Sequence, residues 1–230
     1  MTLKARLAAS GVDSAHARVV YGASGVALVV VDGEGENSIV VTPGANAAFT
    51  SLTEAELATV RGADVLVAQL EIPVETVTEA ALAARAAGVR VLLNAAPART
   101  VPTELLDAVD LLVVNEGEAR TISGRGRDHP EALLSLVPRA VVTLGDQGAW
   151  YCDRDGTVVR VPAFKVDTVD STAAGDAFTG ALAVAWGEGR ELVDAVRWAC
   201  AAGAACVRRL GASVSLPQRA EIDTIFGTPA

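Results

Sequence analysis

Asp64-Val-Leu-Val-Ala68, then Pro73-Val-Glu-Thr-Val-Thr-Glu-Ala-Ala-Leu-Ala-Ala-Arg-Ala-Ala-Gly88, then Val89-Arg-Val-Leu-Leu93 is the stretch that decides the fold. A β-branched run is followed by an Ala-rich amphipathic run, and then by a second β-branched run. Pro73 suits a first helical position and Gly88 a helix end. Further on, Leu111–Val114 and Ala140–Leu144 are again short apolar runs. Four nearly continuous apolar strands separated by helical stretches fit a parallel sheet covered on both faces. Other helices are expected from Ser51-Leu-Thr-Glu54, which has capping-box spacing, to about Arg61, over Pro130–Leu136 and Ala173–Trp186, and from Glu191 to about Arg209. Two hairpins flank this core. Val26–Val31 and Ser38–Val41 are joined by the turn-rich Asp32-Gly-Glu-Gly-Glu-Asn37, and Trp150–Val161 folds back around Asp153-Arg-Asp-Gly156. The reading is one α/β domain over 1–230, with an antiparallel appendage near its start.

Composition narrows the function classes. Of 230 residues 51% are apolar, 20% charged and 4% aromatic, which excludes a disordered or low-complexity chain. With 28 acids against 19 bases the net charge is −9, unlike the basic face that nucleic-acid phosphates require. Cys152, Cys200 and Cys206 lack metal-ligand spacing and read as buried thiols of a reducing cytoplasm. The start MTLKARLAAS lacks the apolar run of a secretory signal, and no stretch approaches membrane-span length.

Ligands of open α/β sheets bind beyond the C-terminal strand ends. There this chain carries Gln69 and Glu71, Asn94, Asn115-Glu-Gly-Glu118, and Gly145-Asp-Gln-Gly148. Any single one reads as an ordinary polar turn; four together point to a crevice. Asp170-Ser-Thr-Ala-Ala-Gly-Asp176-Ala-Phe-Thr-Gly180 adds small residues at a helix start, where bare amides can approach an anion and stabilise a transferring phosphoryl group. Asp176 at the helix mouth could accept a hydroxyl proton, although alone it reads as a helix-capping aspartate. P-loop, Gly-x-Gly-x-x-Gly and Gly-x-Ser-x-Gly patterns are missing. His16 and His129 stand isolated, and Lys4 and Lys165, the only lysines, argue against a lysine phosphate clamp.

These segments together resemble the ribokinase-like (PfkB-type) carbohydrate kinases. Asp170-Ser-Thr-Ala-Ala-Gly-Asp176 is similar to the family's Asp-Thr-x-Gly/Ala-Ala-Gly-Asp, with Ala173 at the position most often glycine. Asn115-Glu-Gly-Glu118 resembles its Asn-x-x-Glu, Val142-Thr-Leu-Gly-Asp-Gln-Gly148 its Thr-Leu-Gly-x-x-Gly, and Asn94-Ala-Ala-Pro-Ala98 its Asn-Pro-Ala-Pro-Ala. Gly33-Glu-Gly-Glu-Asn37 and Gly44-Ala-Asn46 are closest to the ribose-specific branch. The resemblance implies a three-layer α/β fold with a small β lid over about 19–45 and a nucleotide-binding core over about 46–230.

It further implies ATP-dependent phosphorylation of a sugar's primary hydroxyl, that of D-ribose first. Asp176 would be the general base, and the amides of Ala173, Ala174 and Gly175 the anion hole. Asn115, Thr143, Leu144, Gly145, Asp146, Gln147, Gly148, Gly175, Asp176 and Cys200 would bind ATP. Glu71 and Asp176 would contact the sugar. Glu118 would hold Mg²⁺ through water. Asp170 and Thr172, with carbonyls near Cys206, Arg209, Gly211 and Ser215, would surround K⁺. A homodimer through the lid strands is implied, with no nucleic-acid or membrane partner.

The matched region begins inside the family's pattern, after its opening strand, a Gly-Gly-x-x-x-Asn sugar segment and part of the lid. The competing expectation is therefore a fragment that binds nucleotide with weak or absent turnover, beside a third reading as another phosphate-binding α/β enzyme.

Overall fold

The computed structural model describes residues 3–31, 37–123 and 130–228. Its centre is a six-stranded sheet formed by β3 (Val65–Ala68), β4 (Arg90–Asn94), β5 (Leu111–Asn115), β6 (Arg139–Thr143), β7 (Ala149–Asp153) and β8 (Val158–Val161), in that spatial order. β3 to β6 are parallel, and β7 and β8 return antiparallel. Helices α3 (Val74–Ala86), α4 (Thr103–Ala108) and α5 (Glu116–Ser123) cover one face. The other face carries α6 (Ala174–Gly187), α7 (Leu192–Cys206) and α8 (Arg219–Phe226).

Alternation within the strands divides the core. Leu92, Leu111 and Val141 point to the α6–α7 layer, and Leu93, Leu112 and Val142 to the α3–α5 layer, all at most 3% exposed. This accounts for their unbroken apolar runs. β3 differs from the expected covered strand. It pairs with β4 alone, and Val67 is 45% exposed, because a strand at the edge has one neighbour.

The remaining described elements are α1 (Leu3–Ala9), the hairpin β1 (Val26–Val31) and β2 (Asn37–Thr42), and α2 (Glu54–Arg61). β1 and β2 pair antiparallel from Val26↔Thr42 to Val31↔Asn37, as expected; the linking 32–36, and with it most of the Gly33–Asn37 motif, lies outside the described residues, as does His129. Val26, Leu28, Val40 and Val41 of this hairpin are exposed. Arg18 ties the preceding segment to the core: its guanidinium meets both Glu56 oxygens at 2.8 and 2.9 Å and lies 4.6 Å from the Phe49 ring centre.

Two helix starts shift from their expected places. The capping box of α2 is Thr53 with Glu56, not Ser51 with Glu54: Thr53 Oγ1 accepts from the Glu56 amide, and Glu56 accepts from the Thr53 amide at 2.7 Å. That amide bond, followed by the Thr53 hydroxyl and then Arg18, keeps the buried Glu56 carboxyl below the usual range. Pro73 caps α3 in an extended conformation rather than opening its first turn. Pro130–Ser135 is a 3₁₀ turn instead of an α-helix. The three cysteines are buried free thiols. Among the described residues no helix is long and apolar enough to cross a membrane.

Candidate active site

At the C-terminal ends of β5 and β6, Asn115 stands beside Thr143 in register. Asn115-Glu-Gly-Glu118 is a reciprocal cap that opens α5. Asn115 Oδ1 accepts from the Glu118 amide at 2.8 Å, and Glu118 Oε2 accepts from the Asn115 amide at 2.7 Å. Glu118 is buried, and burial pushes its carboxyl up against the opposing pull of the Asn115 amide. Half of each side chain is thus used by the backbone. Asn115 Nδ2 and Glu118 Oε1 have no bond to a described residue.

From β6 the chain turns through Gly145 and Gly148 into β7. Both take positive φ, +58° and +94°. The Leu144 amide donates to the Gly148 carbonyl at 2.8 Å and closes the turn. Gly148 lies against the next strand: a Cβ there would come within 2.0 Å of the Val161 carbonyl oxygen and 2.6 Å of the Ala163 nitrogen. At Gly145 no atom lies within 4 Å of such a Cβ. Gly148→Ala is therefore expected to destabilise by more than about 2 kcal/mol, and Gly145→Ala by about 1 kcal/mol from its backbone conformation alone. Urea midpoints of the two variants check the difference; equal shifts would contradict the contact.

The loop before α6 is built around Asp170. Its Oδ1 accepts from the Thr172 amide and hydroxyl at 2.9 and 2.7 Å, and its Oδ2 from the Gly211 amide at 2.8 Å. The Thr172 hydroxyl, then the Gly211 amide, holds this carboxyl below the usual range. The Cys206 thiol reaches the Thr172 carbonyl and lies 3.2 Å from Ser215 Oγ. Asp170, Thr172, Cys206, Gly211 and Ser215 are thus brought together. The Arg209 side chain leaves the group to pair with Glu221, although the Arg209 amide still donates to the Cys206 carbonyl.

Ala173 then enters the left-handed region at φ 63°, ψ 8°, the one non-glycine residue with positive φ among those described. For alanine this costs about 1 kcal/mol, and such strain persists where surrounding structure fixes it. A left-handed residue followed by a right-handed one turns successive amides into one concavity. The expected triad of amides is only partly open. Ala174 donates to the Ser171 carbonyl at 3.2 Å, because the tight turn brings that oxygen within reach. The amides of Ala173, Gly175 and Asp176 have no acceptor among the described residues, so the open set keeps two of the three expected amides and exchanges Ala174 for Asp176.

Asp176 is the third residue of α6, not its cap. Its side chain is exposed at the surface, yet surrounding protein atoms push its carboxyl above the ordinary aspartate value.

A cavity of about 650 Å³ lies against this loop. Thr143, Gly145, Asp146, Gly148, Ala174, Gly175 and Cys200 line it. Burial pushes the Cys200 thiol up to about 12, so it stays protonated. Leu144 and Gln147 do not line the cavity: Leu144 is buried in the core, and Gln147 accepts from Arg160 at 3.0 Å. Asp176, Asn115, Glu118 and Glu71 stand outside this lining; Glu71 is exposed with no side-chain bond to a described residue.

Sequence reading missed the cavity wall formed by Phe164, Lys165, Val166 and Thr168 after β8, and by Phe178 and Gly203. Gly203 offered no signal either, since a Cβ there would meet only the Ala174 oxygen at 3.7 Å, an ordinary contact. A second cavity, of about 570 Å³, sits at the opposite pole beside Arg90, Arg139 and Trp186, away from the strand ends where α/β sheets bind ligands.

Residues 2–219 match the profile of the pfkB family carbohydrate kinases. The chain belongs to that family. It is a sugar kinase, a phosphotransferase acting on an alcohol group. A ribokinase of Staphylococcus aureus is 35% identical over 213 residues, covering 88% of this chain and 69% of that protein. A ribokinase of Schizosaccharomyces pombe is 37% identical over 219 residues, covering 88% and 68%. The solved ribokinase of Arabidopsis thaliana complexed with ribose and ATP superposes with a TM-score of 0.84 at 31% identity, over 91% of this chain and 71% of that one. The α6 start, through Ala174 and Gly175, and the glycine turn, through Gly145 and Gly148, line one cavity, and the Asn115–Glu118 cap stands outside that lining.

Proposed function

We propose that the chain transfers the γ-phosphoryl group of ATP to the primary hydroxyl of D-ribose. The observation that carries this is the α6 start, where the amides of Gly175 and Asp176 have no acceptor among the described residues and stand next to an ionisable carboxylate. The amides offset charge on the transferring group, and the Asp176 carboxylate takes the hydroxyl proton. Thr143, Gly145, Asp146, Gly148 and Cys200 enclose the nucleotide, Asn115 meets its phosphates, and Glu71 faces the sugar.

Glu118 fits an outer contact to Mg²⁺, since one of its oxygens remains open; the ion, when bound, offsets phosphate charge. The hard oxygens of Asp170 and the surrounding carbonyls fit K⁺, which would brace the turn before α6. The domain division at about residue 45, a cytoplasmic setting and pairing through the β1–β2 hairpin belong to the same reading.

A second reading, nucleotide binding without turnover, draws on the sugar side of the crevice, where Glu71 is exposed and unpartnered among the described residues. A coupled ADP-release assay on the purified chain separates the two, across ribose, fructose, deoxyribose and adenosine, with K⁺ or tetramethylammonium. Release fastest with ribose and dependent on K⁺ is expected. Nucleotide binding with no sugar-dependent release would favour the second reading, and failure to bind nucleotide would overturn both.

A further inference from the structure

The lining of the 650 Å³ cavity includes, among the described residues, one cationic side chain, Lys165, and one anionic one, Asp146. The chain as a whole carries −9, a field that opposes any polyphosphate. Against it the start of α6 supplies roughly half a positive charge, and Lys165 a whole one. Lys165 is exposed and lines the cavity between Phe164 and Val166, which line it too while packing against the core under α6 and α7. Its ammonium has no hydrogen bond or ion pair with a described residue.

We propose that Lys165 is the side chain that captures the donor nucleotide, its ammonium meeting the phosphates that are not transferred. This rests on the cavity being the donor-nucleotide site. The transferred group belongs beside Gly175 and Asp176, and Lys165 lines the same cavity as Gly175. A contact made equally in the ground and transition states raises affinity without raising the chemical rate. Lysine serves here as a mobile point charge on a long stem, so arginine should replace it.

The test is a set of binding titrations and steady-state kinetics on wild type, Lys165→Ala, Lys165→Glu and Lys165→Arg. Lys165→Ala is expected to weaken ADP binding and raise the KM for ATP about tenfold, with kcat and the sugar KM unchanged. Lys165→Glu should weaken both further, and Lys165→Arg should return them to within about threefold of wild type. Binding of adenosine, which has no phosphates, should not change; an equal loss of adenosine binding would make Lys165 a structural residue and overturn the proposal. ADP binding to Lys165→Ala within twofold of a wild type that binds would overturn it while leaving the donor site standing. A wild type that binds neither ADP nor ATP would remove the donor-site reading itself.

Discussion

Asp176→Asn is expected to lower kcat by about 10²–10⁴, the usual contribution of a positioned general base, with ADP affinity within about twofold of wild type. Asparagine keeps the size and the helix start but cannot take a proton. Although Asp176 is exposed, nearby protein atoms partly desolvate its carboxyl and hold it above its ordinary value, so kcat should fall with decreasing pH at an inflection above that of a free aspartate. The stability effect has the opposite sign. An acid whose folded pKa is raised contributes stability below its unfolded pKa, and that contribution is lost as pH rises through the folded value. At neutral pH the ionised Asp176 therefore adds nothing to stability, and the variant should melt no lower than wild type. A full kcat in Asp176→Asn would refute the assignment; a lowered Tm would mean that the side chain has a structural role.

The second large effect separates the two uses of Glu118. Glu118→Gln keeps an oxygen for the Asn115 amide, because glutamine also serves in a capping box, but removes the charge. The expected result is a nearly unchanged Tm with kcat reduced about 10- to 100-fold, the loss typical of an outer contact to a metal. Glu118→Ala removes the cap as well and should cost about 1 kcal/mol of stability on top of the activity. Thermal melts and Mg²⁺ titrations of both variants check this. If Gln retains full activity and only Ala is impaired, Asn115-Glu-Gly-Glu118 is a helix start and nothing more.

That motif shows how far the sequence could be read. Its polar strand-end character was visible, but α5 was not, because a glycine in the first turn and a short apolar stripe hide an eight-residue helix. α8 was hidden similarly: its capping residue is Gln218, an uncommon choice, paired with Glu221. The apolar runs of β4, β5 and β6 were legible because burial on two faces removes any alternation. β3 looked the same in sequence, yet Val67 is exposed, since nothing in a strand's own residues records how many neighbours it has.

In the site, the conformation of Ala173 and the capture of the Ala174 amide by Ser171 depend on backbone angles that small residues leave unspecified. Asp170 was expected beside a cation; the structure adds that its carboxylate bonds both Thr172 and, 41 residues on, the Gly211 amide. Two lysines in the chain argue against a phosphate clamp, and only the fold of the segment after β8 puts one of them, Lys165, on the cavity wall.

The central claim is that phosphate oxygens rest on the open amides at the start of α6. Amide ¹⁵N–¹H spectra of the labelled protein, titrated with a non-hydrolysable ATP analogue and Mg²⁺, test it most directly. The account predicts large shifts at Gly175 and Asp176, with a smaller one at Ala174, whose hydrogen already has an acceptor. Saturating shifts at Thr143 to Gly148 while Gly175 and Asp176 stay in place would show that the nucleotide binds elsewhere than against this helix, and the phosphotransfer centre described here would be wrong.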